Sequence, residues 1–142
     1  MDKDNTNRVQ HFYLRHSMTE AYDKNGQSLS AFKGPPVGVI AFQLDADGKF
    51  VRVAGSMVSY KDSFDKKTGV TKARGRLHSN DRSVSLPVED AKEMRVDRLV
   101  DWLGLASSRS NYYGSVDWAR ATAAKDSALK NLETRTEKVP VT

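Results

Sequence analysis

Cysteine is missing from all 142 residues, which removes disulfides and thiolate metal sites together. Histidine is scarce: His11, His16 and His78 are the only three. His11 and His16 are five residues apart and face opposite sides of a strand, so neither a metal site nor a bound cofactor is expected. No apolar run approaches the roughly 18–20 residues of a membrane span. The opening MDKDNTNRVQ has no apolar segment of the kind a secretory signal needs, and a cytoplasmic protein is expected. Also absent are a GxSxG elbow, a Walker loop and a GxGxxG turn, so catalysis has no motif behind it and an enzyme is not expected.

What the chain does have is unevenly placed positive charge. Its net charge is +5, its pI about 9.5, and the stretch from Lys61 to Arg82 has seven Lys or Arg against three Asp, hence four of those five charges. Such clustering favours a phosphate-bearing or polyanionic partner, whereas evenly spread charge of this size would serve solubility alone. An apolar content of 38 % and a charged content of 29 % suit a globular chain, and one domain over residues 1–142 is expected, with 1–6 and 134–142 as terminal arms. An ordered tail of that composition would need a second subunit or the protein's own sheet, and a homo-oligomer is expected.

The clearest structural pattern is VGVIAFQL, DADG, KFVRVAGSMVSY. Two runs rich in β-branched and aromatic residues flank an Asp47-Gly48 turn, which predicts a hairpin over 37–60 at the centre of a sheet. Gly55 predicts a bulge or a close approach. A first strand is predicted within Arg8–Met18 and a short one at Val84, Leu86 and Val88, at an edge because of Pro87. Phe64, Val70, Ala73 and Leu77 recur at helical spacing and are expected to pack on the hairpin face of Val51, Val53 and Met57. Two further helices are predicted: Glu89–Leu103, burying Ala91, Arg95, Leu99, Trp102 and Leu103, and Val116–Glu133, capped by Ser115. The fold class is therefore α+β, a small and mostly antiparallel sheet with two or three helices packed on it.

Two constellations could hold a ligand. In the basic segment, Lys61, Lys72, Arg74 and Arg76 surround Gly75; arginine offers a planar fork matched to phosphate, and a neighbouring glycine lets backbone amides approach the same oxygens. Arg76, anchored beside Leu77, is the expected main contact. Ahead of the last helix, Arg109, Asn111, Tyr112 and Tyr113 offer a phosphate partner, a base-edge partner and two rings for stacking.

Residues 56–77 resemble a pattern of small bacteriophage proteins, S-x-x-x-x-K-D-x-F-x-K-x-x-G-x-x-x-A-x-G-R-L. Ser56, Lys61, Asp62, Phe64, Lys66, Gly69, Ala73, Gly75, Arg76 and Leu77 stand at its fixed places. Because some small phage proteins sequester nucleotide-derived immune signals of the host, the resemblance implies a phage origin, a host cytoplasmic location and an anti-defence role. The leading expectation is thus a binding protein for a nucleotide or cyclic nucleotide. Alternatives are a nucleic-acid-binding protein using 61–82, and an inhibitor of a host protein or a virion subunit.

Overall fold

The computed structural model describes residues 9–18, 22–29, 32–58, 63–105 and 113–137, the last four of these by backbone alone. Four strands, β1 (Val9–Arg15), β2 (Pro36–Leu44), β3 (Phe50–Met57) and β4 (Ser83–Pro87), form one antiparallel sheet in the order β1-β2-β3-β4. Helix α1 (Lys66–Arg76) joins β3 to β4; α2 (Val88–Glu93), α3 (Val96–Trp102) and α4 (Trp118–Glu137) follow. The fold is α+β, as the sequence pattern predicts.

The β2–β3 hairpin turns at Gly48, whose φ of +72° is the left-handed geometry that the Asp47-Gly48 pair suits. Asp45 closes the turn, its carbonyl accepting from Gly48 N and its carboxylate from Lys49 N. Pairing is regular from Gly38↔Met57 to Leu44↔Val51, so Gly55 makes no bulge. It is a close approach instead, since a Cβ there would stand 2.6 Å from Ile40 Cδ1.

Alternation then assigns the two faces of the sheet. Phe12, Leu14, Ile40, Phe42, Leu44, Val51, Val53 and Leu86 point to one side and form the main core with Ala121, Ala128, Leu129 and Leu132 of α4 and Val96, Leu99 and Val100 of α3. Val39, Ala41 and Ala54 point to the other and meet Ala73 and Leu77, with Phe64 and Val70 partly buried alongside. The expected packing of this helical stripe on Val51, Val53 and Met57 is thus corrected. Those residues bury against the main core, and α1 takes the face of smaller side chains, where its backbone can come close. Gly69 is what allows it: a Cβ there would lie 2.7 Å from the Phe64 ring and 3.2 Å from Val39 Cγ2.

The expected helix over 89–103 is two helices that break at Met94 and Arg95, both extended. A buried lysine explains the break. Lys125, 1 % exposed, donates from Nζ to the carbonyls of Ala91 (2.9 Å), Lys92 (3.0 Å) and Met94 (2.6 Å), which a continuous helix would keep for itself. The break rotates the following turn, so Val96 and Val100 become buried while Arg95 is exposed and Trp102 is 51 % exposed. Val88 leaves the strand to begin α2. At the last helix Asp117, not Ser115, supplies the cap: Oδ1 accepts from Arg120 N at 3.2 Å. The helix runs to Glu137, into the residues expected as a terminal arm.

The two glycines of α1 give a direct check. Gly69→Ala improves helix propensity but drives a methyl into Phe64 and Val39, whereas at Gly75 nothing lies within 4 Å. In urea unfolding, Gly75→Ala should gain about 0.5–1 kcal/mol and Gly69→Ala should lose about 1–3 kcal/mol. Equal gains at both positions would mean that α1 does not sit this close.

Candidate anion-binding site

Helix α1 starts at Asp65, whose side chain accepts from Thr68 N at 2.8 Å. That cap commits the carboxylate, and hydrogen bonds from Thr68 hold its pKa below the usual value. With Gly69, Ala73 and Leu77 turned to the sheet, the basic residues divide between the two flanks of the helix at 100° per residue. Lys72 and Arg76, four apart, fall on the β3 side; Arg74 falls on the β1 side.

The β1 flank is occupied by its own side chains, with one donor left over. Arg74 Nη2 lies 3.2 Å from Nδ1 of His11, and Arg74 Nε is buried without a hydrogen-bond partner. Tyr13, edge-on to Phe64, has Lys66 Nζ 5.0 Å from its ring centroid on one approach and the Arg15 guanidinium 5.5 Å on another. These cations already have neighbours that suit positive charge.

The β3 flank differs. Between the end of β3 and the flank of α1 from its start to Arg76 lies a cleft of about 610 Å³. Lys72 and Arg76 line one part of it, Met57, Val58 and Phe64 another, and the hydroxyl residues Ser56, Ser63 and Thr68 lie along it; the carboxylate of Asp65, engaged by Thr68 N, also reaches its lining. Arg76 is held in place by its own bond, Nη1 donating to Gly55 O at 2.8 Å, and Ser56 Oγ donates to Gly69 O at 3.3 Å. Among the described residues the bond to Gly55 O is the one hydrogen bond of Arg76, and a guanidinium has five N–H groups. Burial, then the charge of Arg82, lowers the pKa of Arg76, so this cation sits where positive charge is under-compensated. Among the described residues, ion pairs involve Lys92, Arg95, Arg120 and Lys125, and none involves a basic residue of α1. A wider cleft at the other end of α1, about 810 Å³, has Asp45 and Arg52 in its lining. There Arg52 Nη1 is engaged by Leu77 O and Asn80 Oδ1, both at 3.3 Å.

Of the residues expected to bind, Lys72 and Arg76 therefore come together. Arg74 is on the opposite flank with His11, and Gly75 is exposed and outside the cleft lining. Lys61, Arg109, Asn111 and Tyr112 lie outside the described residues. Tyr113 packs with the core on the far face of the sheet, its ring centroid 4.9 Å from that of Trp118. Burial, a hydrogen bond to Asp101 and the charge of that carboxylate push its phenol up to about 12, so Tyr113 is tied to α3 on the side away from Lys72 and Arg76. Ser56, Met57, Val58 and Thr68 were not foreseen in the cleft. Ser56 could have been: it is a hydroxyl on the strand face opposite Val51 and Val53, two residues beyond the buried Ala54.

Comparison with known proteins finds no family model, curated protein or solved structure that matches this chain.

His11 supplies a pH test of the β1 flank. Burial first, then the charge of Arg74, lowers its pKa from the ordinary 6.5. Arg74 can only donate, so Nδ1 must accept and the neutral ring is the form that fits. The unfolded chain then binds this proton more readily than the native one. The stabilisation is complete above about pH 6.5 and is lost as pH falls through the lowered value. Stability measured by urea between about pH 7.5 and 5 should decline more steeply for the parent than for His11→Gln, which keeps an acceptor without titrating. Parallel curves would contradict the pairing.

Proposed function

We propose that this chain binds and sequesters a phosphate-bearing small molecule, a nucleotide or cyclic nucleotide, in the cleft between β3 and α1. The observation that supports it most is the pairing of Lys72 and Arg76 on one flank of α1, without a carboxylate partner among the described residues, over a cleft with an apolar wall. Its volume of about 610 Å³ falls in the range of roughly 300–1,000 Å³ typical of small-molecule sites. In this reading Arg76, oriented by Gly55 O, and Lys72 take the phosphate oxygens. Met57, Val58 and Phe64 take the base, and Ser63 and Thr68 offer hydroxyls to the sugar. The resemblance of 56–77 to small phage proteins favours a signal nucleotide of host defence as the ligand class.

A thermal-shift panel of nucleotides and oligonucleotides selects the ligand, since stabilisation grows as RT ln(1 + [L]/Kd). Calorimetry with the selected nucleotide should then show Lys72→Ala and Arg76→Ala weakening binding by about 10–100-fold, the loss of a charge-assisted hydrogen bond. Arg76→Lys should lose about tenfold, because it keeps charge but not the fork, and Lys67→Ala on the exposed side about twofold or less. If every variant loses the same small amount, or if only oligonucleotides bind and do so with a steep salt dependence, the segment is a phosphate-backbone surface and the cleft is not the site.

A further inference from the structure

At the outer edge of β1 the chain builds a second, smaller recess. Asp117 N donates to Arg15 O (2.9 Å) and Ser17 N to Ser115 O (2.7 Å), and His16 bridges to Val116. These backbone bonds lay the segment entering α4 alongside the end of β1 and hold the first turn of α4 beside the strand. Between them is a recess of about 190 Å³, its lining including Arg15, Lys33, Arg120 and Asp117 together with Phe12 and Ala121.

Three cations from three separate elements meet one carboxylate there. That carboxylate is committed: Asp117 Oδ1 accepts from Arg120 N at 3.2 Å and Oδ2 lies 3.4 Å from Arg120 Nε. The Arg15 fork is fixed at one end, Nη1 donating to Gly34 O at 3.0 Å, and by the Tyr13 ring beneath it. Neither Arg15 nor Lys33 makes an ion pair among the described residues. The formal charge facing the recess is therefore three positive against one negative, over an apolar floor of Phe12 and Ala121. An excess of fixed cations in a confined space attracts an anion, and an apolar floor favours one with a short hydrocarbon part.

We propose that this recess is a second anion site, independent of the cleft beside α1, for a small oxyanion with a short apolar tail. Arg15, Lys33 and Arg120 take the oxygens and Phe12 and Ala121 the tail. Its smaller volume separates it from a nucleotide site.

The probes are ethyl phosphate and butyrate, a phosphate and a carboxylate head on comparable tails. Each is titrated calorimetrically into the full chain with Lys72→Ala in the background, at about 0.15 M ionic strength to screen diffuse attraction. Saturable one-to-one binding of at least one probe is expected, and the tighter one names the head group. Lys33→Ala and Arg120→Gln should each weaken it by about tenfold. Lys33 is exposed, so its variant should fold as the parent does and its result stands whether or not Arg120→Gln, which also disturbs Asp117, stays native. No saturable binding of either probe, or unchanged affinity in Lys33→Ala, would overturn the proposal.

Discussion

The closeness of α1 to the sheet at Gly69 decides the geometry of the candidate site. With no side chain there, the helix backbone sits against Val39 and Phe64, and Gly69 O comes within reach of Ser56 Oγ. From that seat Arg76 can span to Gly55 O and Arg52 to Leu77 O, so three polar contacts tie α1 to β3. A helix set a methyl group higher would lose these contacts and open the floor between Phe64 and Met57. The same seat forces the cations outward, because a stripe of glycine, alanine and leucine occupies the whole contact. Lys72 and Arg76 on one flank and Arg74 on the other are consequences of that packing.

Two treatments of positive charge stand on opposite faces of the sheet. Lys125 is almost fully buried, yet its three donors meet three carbonyls and Asp126 Oδ1 lies 3.2 Å away. A buried cation so surrounded is a structural part, and stranding any one of those carbonyls would cost about 1–3 kcal/mol. Lys72 and Arg76 are less buried and less compensated. Arg76 is held in place by Gly55 O without a carboxylate partner among the described residues, the electrostatic condition for binding an anion, and this distinguishes the cleft from the ion-paired surface around Lys92, Glu89 and Glu133.

Much of the fold is legible in the sequence because its signals are local. The hairpin follows from alternation and from Asp47-Gly48, the edge position of β4 from Pro87, and the helical stripe of α1 from four spaced residues. What the sequence hides is tertiary. Which face of β3 receives α1 depends on the bulk of residues from other strands, and the stripe alone fits either side. The split at Met94 depends on Lys125, 31 residues away, so Glu89–Leu103 reads as one helix until α4 is in place. Within the site, Lys72 and Arg76 are visible as charge, but the separation of Arg76 from Arg74 needs the azimuth of each around a helix whose buried stripe fits either face of β3. Gly75 draws attention as a glycine among arginines, although the glycine with a packing role is Gly69.

The proposed site requires that the anion be held by one flank of α1 and not by the basic segment as a whole. Backbone amide NMR on the full chain, titrated with the nucleotide that stabilises it most, tests this directly. Saturable shifts confined to Ser56, Met57, Thr68, Gly69, Lys72 and Arg76, with His11 and Arg74 unmoved, are the predicted result. Shifts spread evenly over both flanks of the helix, fading together as salt is raised, would contradict it.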